Sequence, residues 1–214
     1  MDTLHYLAGN WDTIGPEVKT HLQIVVISMV VAAIAGLLLG ILAARSARFA
    51  AIALSVASTL LTIPSFALFG LLAIGLGIGN RPVEIGLILY ALLPILRNTM
   101  VGIQGVDPAV LEAARGMGMR PRQILRHVEL PLALPLILGG LRQSTVMVVA
   151  IATVGAAVGA NDLGQPILAG IRDSDNAEIL SGIIPVAAIG LLADAVLGSA
   201  QRLLQRGRIV EHAA

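Results

Sequence analysis

The sequence predicts an all-α integral membrane protein with about five transmembrane helices, on three observations. First, 57% of its 214 residues are hydrophobic and 13% are charged, where a soluble domain carries about 25% charge. Mean hydropathy is +0.89 for a mass of 22.1 kDa. A globule of that size cannot hide so much apolar surface, because the exterior of a folded protein is already largely apolar atoms. Second, apolar stretches near 22–44, 50–78, 83–105, 132–160 and 179–203 each reach the roughly 20 helical residues needed to cross a hydrocarbon core. Third, the basic residues alternate between the two sides of those stretches. Arg45 and Arg48 follow the first span, Arg97, Arg115, Arg120, Arg122 and Arg126 lie at or after the third, and Arg202, Arg206 and Arg208 follow the fifth. The opposite side has Lys19, Arg81 and Arg172 beside Asp162, Asp173, Asp175 and Glu178. Lys and Arg collect in cytoplasmic loops, which places the amino terminus outside and the carboxyl terminus in the cytoplasm.

Taken in order, residues 1–20 carry Asp2, Asp12 and Glu17. No basic stretch precedes an apolar run there, so no cleavable leader is expected, and the segment reads as a short polar extracytoplasmic piece. The transmembrane domain is expected over 21–206. The first span holds Gly36-x3-Gly40 and the fourth Gly155-x3-Gly159, small-residue faces of the kind that let membrane helices approach closely. Spans two to five each contain a proline: Pro64, Pro94, Pro135 and Pro185. A proline removes a backbone donor and kinks the rod, and broken helices at membrane depth belong where they line water or substrate. Thr62, Pro64 and Ser65 are therefore candidate path residues, with Asn98 and Thr145 beside them. The competing reading is that such groups bond to freed carbonyls or to neighbouring helices. Arg97, Arg142 and Asp194 are the charges nearest membrane depth. An arginine there needs a partner; backbone carbonyls or the cytoplasmic loop are expected for the arginines, and Asp194 reads as a lone carboxylate.

Between spans three and four lies a cytoplasmic segment, 105–131. Asp107-Pro108 reads as an N-cap and first helical residue, and Gly116 and Gly118 interrupt the helix that follows. Pro121 restarts one, with Ile124, Leu125 and Val128 on one face and Arg122, Arg126 and Glu129 on the other. Pro131 opens the fourth span. Two short helices across the cytoplasmic mouth are expected.

Much chemistry is excluded. The chain has no Cys, and its one lysine, Lys19, is not in a G-x-x-x-x-G-K phosphate loop. His5, His21, His127 and His212 are scattered, so no metal site is indicated. No catalytic residue, cofactor or nucleic-acid partner is expected in this chain.

Within 105–131, Glu112-Ala113-Ala114, three residues, Gly118, nine residues, then Val128-Glu129-Leu130-Pro131 resembles the EAA motif of ABC-importer permeases, with Val128 where isoleucine is usual. Paired alanines allow a partner backbone to approach, glycine gives a tight reversal, and Glu112 offers a charge-assisted contact. Leu60 to Leu68, Gly75 to Gly79, Tyr90 to Thr99, Glu129 to Pro135 and Gly159 to Gly164 are similar to the osmoprotectant branch of that family, which imports glycine betaine, choline, carnitine and related quaternary amines. Asn161-Asp162 departs from the glycines usual there. The resemblance implies a type I (MetI-like) permease fold in the bacterial inner membrane. It assigns Glu112, Ala113, Ala114, Gly118, Leu130 and Pro131 to docking on the ATPase. Two copies of an ATP-binding subunit that hold the ATP and Mg, a second permease chain and an extracytoplasmic substrate-binding protein are the implied partners. A permease for another small solute such as methionine is the alternative, and a self-contained channel or ion-coupled carrier a more distant one. Aromatics make up 3% of the chain. Quaternary ammonium groups are held by aromatic cages, so selective binding is expected to reside in the separate binding protein.

Overall fold

The computed structural model describes residue 6 and residues 9–209. Residues 1–5, 7 and 8 of the expected outer segment, with His5, lie outside the described residues, as do 210–214, with His212. The described residues form helices α1 (Trp11–Arg45), α2 (Ala47–Thr62), α3 (Ser65–Leu76), α4 (Asn80–Gln104), α5 (Pro108–Gly116), α6 (Pro121–Ile124), α7 (Leu130–Ala152), α8 (Gly164–Asp173) and α9 (Asn176–Ile209). A π turn, Leu125–Glu129, joins α6 to α7, and a 3-10 turn, Thr153–Val158, follows α7. Four spans are long and apolar enough to cross a bilayer, and the bent pair α2–α3 makes a fifth if counted as one.

The first helix starts at Trp11, well before the expected span, so the second half of the supposed outer segment, 11–20, is helical. Its 35 residues extend to about 52 Å, longer than a hydrocarbon core. Val26, Ile27, Val30, Ile34 and Leu38 are exposed, whereas Ala32, Gly36, Gly40 and Ala43 are buried. The glycines are there for want of space: a Cβ on Gly36 would meet Ile95 Cγ2 at 2.7 Å, and one on Gly40 would meet Thr99 Cβ at 2.5 Å. α4 lies in that groove.

The second span is broken rather than merely kinked. α2 and α3 meet at 99° across Ile63-Pro64. Pro64 has no N–H to continue the ladder, and it forces the residue before it into extended backbone; Ile63 has φ −69° and ψ 128°. The Tyr90 hydroxyl of α4 donates to the Ile63 carbonyl at 2.7 Å, and Phe69 packs against Tyr90 with ring centroids 6.4 Å apart. Gly86 opens the slot for Phe69, since a Cβ there would lie 2.5 Å from its ring.

α4 is the central post, with Val83, Leu87, Tyr90, Ala91, Ile95 and Leu96 buried between α1 and α7. Ser144 of α7 donates to the Ala91 carbonyl at 3.0 Å, and Gly140 lets α7 approach α4 beside Pro94, where a Cβ would meet the Pro94 carbonyl at 2.8 Å. The stretch between spans four and five contains α8, a helix outside the expected spans. α8 folds back against α9, because Gly182 of α9 has no side chain to meet the Leu163 carbonyl, 2.7 Å from where a Cβ would stand.

Candidate coupling segment and membrane path

The cytoplasmic segment is built by its own local signals. The Asp107 carboxylate accepts from the Ala109 N–H at 2.8 Å, with Pro108 in the first turn, the capping arrangement that the Asp-Pro pair predicts. α5 ends at Gly116, and Gly118 adopts φ +77°, a left-handed conformation that glycine takes at little steric cost. Gln123 then accepts from the Arg120 N–H at 2.7 Å as α6 begins.

Glu112 and Ala113 face outward and Gly118 is exposed, as is Pro131; Leu130 is half-buried. Ala114 is different: it is 2% exposed and turned onto the body of the protein. One alanine of the pair thus stands on the surface and the other anchors the short helix. Beside this segment an open cleft of about 600 Å³ is lined by Ile41, Arg45, Arg115, Met119, Ile124 and Glu129, among others.

Two corrections concern this segment. α6 is not separate from the fourth span: it continues through the π turn, so 121–158 forms one span rather than a short helix followed by a new one at Pro131. Glu129 is also not on the solvent face with Arg122 and Arg126. It is 3% exposed, and both its oxygens accept from Arg45, the last residue of α1, with Nη1 to Oε1 at 3.0 Å and Nη2 donating to Oε2. In α-helical spacing residues five apart diverge by about 140°. In a π turn they stack, because the bond runs from i to i+5, and here the Leu130 N–H donates to the Leu125 carbonyl. Ile124 and Glu129 therefore share the buried face.

The candidate path residues lie in two groups. Thr62 and Pro64 are exposed and Ser65 half-buried at the α2–α3 corner; Asn98 and Thr145 are half-buried on α4 and α7. Three of these polar side chains bond to their own helix: Thr62 to the Thr59 carbonyl at 2.7 Å, Asn98 to Pro94 at 2.8 Å and Thr145 to Leu141 at 2.8 Å. Their hydroxyl or amide donors satisfy helix carbonyls, the competing reading given above.

Asp194 is not a lone carboxylate. It takes a two-point contact from Arg142, with Nε to Oδ1 at 2.5 Å and Nη2 to Oδ2 at 2.7 Å. Arg142 therefore finds a carboxylate rather than the carbonyls or loop expected of it. The side chains remain 40% and 38% exposed, so the pair lies on the outside of this chain. The two residues are 52 positions apart, and no local pattern announces the match.

Asp162, in the turn before α8, is fully buried. One oxygen accepts from the Gly164 N–H at 2.7 Å; the other has no hydrogen-bond partner. Burial pushes its carboxyl up to about 7, against the pull of the Gly164 N–H, and the Glu17 carboxylate adds to the rise. The sequence reading had noted only that a carboxylate stands where glycine is usual. Among the described residues no group of His, Cys, Asp and Glu could hold a metal ion.

The described residues form a bundle of apolar helices in which one span is broken, at Pro64, while the helices holding Pro94, Pro135 and Pro185 run on unbroken. A capped, glycine-interrupted helical segment lies on its basic side, an arrangement that fits a membrane permease. Residues 36–210 match the family described as "Binding-protein-dependent transport system inner membrane component", and the chain belongs to that family. It is 39% identical over 209 residues to the carnitine transport permease protein OpuCD of Listeria monocytogenes, covering 95% of this chain and 94% of that one. It is 39% identical over 209 residues to the osmoprotectant import permease protein OsmW of Salmonella typhimurium, covering 95% and 97%. Among solved structures, the inward-facing MetNI methionine ABC transporter has a chain of the same fold, with TM-score 0.78 and 22% identity over 92% of this chain and 98% of that one. The fold is that of a type I ABC importer permease, all-helical as the sequence predicts.

Proposed function

We propose that this chain is the permease subunit of an ATP-driven importer for osmoprotectants such as carnitine, glycine betaine or choline. The observation that carries the substrate class is the near full-length identity of 39% to the carnitine and osmoprotectant permeases. The likeness to the methionine transporter, at 22% identity, speaks for the fold alone. In this reading two copies of an ATP-binding subunit dock on 105–131 from the cytoplasm, through Glu112, Ala113, Ala114, Gly118, Leu130 and Pro131. Their closure on ATP, with Mg, moves the segment, and the bundle exposes a path first outward and then inward. A second permease chain completes the path, and an extracytoplasmic binding protein delivers the solute. The path runs past the α2–α3 corner, where Thr62, Pro64 and Ser65 lie, and past Asn98 and Thr145. The chain catalyses no reaction itself.

The test is uptake of radiolabelled carnitine, betaine and choline by a transport-deficient strain expressing this chain with its ATPase and binding protein, alongside affinity capture of the complex. ATP-dependent uptake of at least one of the three is expected, with the ATPase captured alongside the permease. Uptake that persists without any ATPase sinks the reading, and uptake of methionine but none of the three moves the substrate to the alternative.

A further inference from the structure

We propose that Arg45 and Glu129 form the joint through which movement of the cytoplasmic segment is passed to the first transmembrane helix. The proposal rests on the coupling role given to 105–131 above, and extends it to Glu129, which the docking assignment leaves out, and to Arg45 on the first transmembrane helix.

Three observations carry it. Arg45 is the last residue of α1; at Ser46 the backbone turns extended, with φ −143° and ψ 112°. A pull on the Arg45 guanidinium thus acts on the end of a 35-residue rod. Glu129 sits at the opposite kind of place, the hinge of a lever, because the π turn makes α6 continuous with α7 while aiming Glu129 inward. A π turn inserted in a helix is a local irregularity frequent at functional positions. The two side chains also meet through both oxygens and both terminal nitrogens, a fork geometry that fixes direction as well as distance. Around them Leu37, Ile41 and Ala44 of α1, together with Leu125 and Leu130, pack against the buried cluster of Ile103, Ala133 and Ile137, so the charge pair closes an apolar seam. Further along, the bare glycines of α1 hold α4 with no slack. Motion entering at Glu129 thereby reaches the central post by way of α1 as well as directly from α7.

A carboxylate this buried is costly once its partner is gone, so loss of either residue loosens the seam. The chain has no native cysteine, which makes a crosslink at this pair unambiguous. The experiment uses the whole transporter, reconstituted with its ATPase and binding protein in lipid, and reads solute moved per ATP hydrolysed. R45Q and E129Q are each expected to lower that ratio by about tenfold, the scale of a lost coupling between two sites. The exchanged pair R45E with E129R is expected to recover most of it. If a single variant does not assemble, R45C with E129C decides: joined by a short bifunctional reagent it should carry solute at near the parental ratio, and uncrosslinked it should not. Parental ratios in both single variants overturn the joint, as does a ratio that neither the exchanged pair nor the crosslink restores. A parental complex without ATP-coupled uptake instead overturns the coupling reading beneath it, and the joint falls with it.

Discussion

Asp162 carries a carboxyl that burial raises to about 7, and the sign of its effect on stability follows from proton counting. Between about pH 4 and pH 7 the unfolded chain gives up the Asp162 proton while the folded chain keeps it, so this group's contribution falls as pH rises through that window and is least favourable above it. Asn at this position can still accept from the Gly164 N–H. Asp162→Asn is therefore expected to raise the melting temperature in detergent by several degrees at pH 8 and to change it little at pH 4, measured by thermal unfolding of purified protein at both pH values. Gly40 makes a second case at the same scale. Its Cβ would stand 2.5 Å from Thr99 Cβ, and overpacking of this kind typically costs about 1–3 kcal/mol. Gly40→Val should lower stability by that much, while Gly70→Ala, where a Cβ meets nothing within 4 Å, should not. The Gly36-x3-Gly40 spacing was readable from the sequence because it is local to one helix face. The burial of Asp162 was not, because it depends on how a turn packs against helices that are distant in the chain.

Elements divide along the same line. The Asp107-Pro108 start of α5 and the break at Pro64 follow from backbone chemistry confined to two or three residues, and both are legible. The size of the break is not: the 99° bend sits where Tyr90 of α4 donates across to the Ile63 carbonyl, a contact from a residue 27 positions on. Tyr90→Phe removes one partly buried hydrogen bond and should cost about 0.5–1.5 kcal/mol, with spin-label distances between α2 and α3 becoming broader. The facing of Glu129 was misjudged for an equally physical reason. Helical spacing was assumed through 121–129, and a single π turn changes which residues share a face. α8 escaped notice because its 10 residues include Arg172 and Asp173 beside glycines, a composition that does not separate a short surface helix from a loop.

At the scale of the whole molecule, the composition is mostly topology. The basic residues mark one side, and the apolar exterior of α1, α3 and α9 is suited to lipid. If docking runs through the exposed face of α5, Glu112→Arg should abolish capture of the ATPase and uptake together, without changing the amount of permease in the membrane. Of the six aromatics, Tyr6, Trp11, Phe49, Phe66, Phe69 and Tyr90, Phe69 and Tyr90 are spent on the α2–α3 corner, and the other four lie on separate stretches of the chain. Calorimetry of the isolated permease with betaine should accordingly detect no binding at micromolar concentrations. The class of fold and the presence of four to five apolar spans were accessible from hydropathy and charge. The long-range pairs, Arg45 with Glu129 and Arg142 with Asp194, required coordinates.

The hydrogen bond from Tyr90 to the Ile63 carbonyl ties the corner between α2 and α3 to a residue synthesised after it. A nascent chain that has reached only Gly79 contains the full apolar stretch of the second span but not the hydroxyl that fixes its turn. If that bond closes the corner, entry of the stretch into the bilayer and formation of the corner are separate events, the second waiting on a segment synthesised later. Chains arrested before residue 90 should leave a cysteine placed at Leu68, which the finished protein buries, open to reagents, and equal protection in the arrested chain would show that the corner forms unaided.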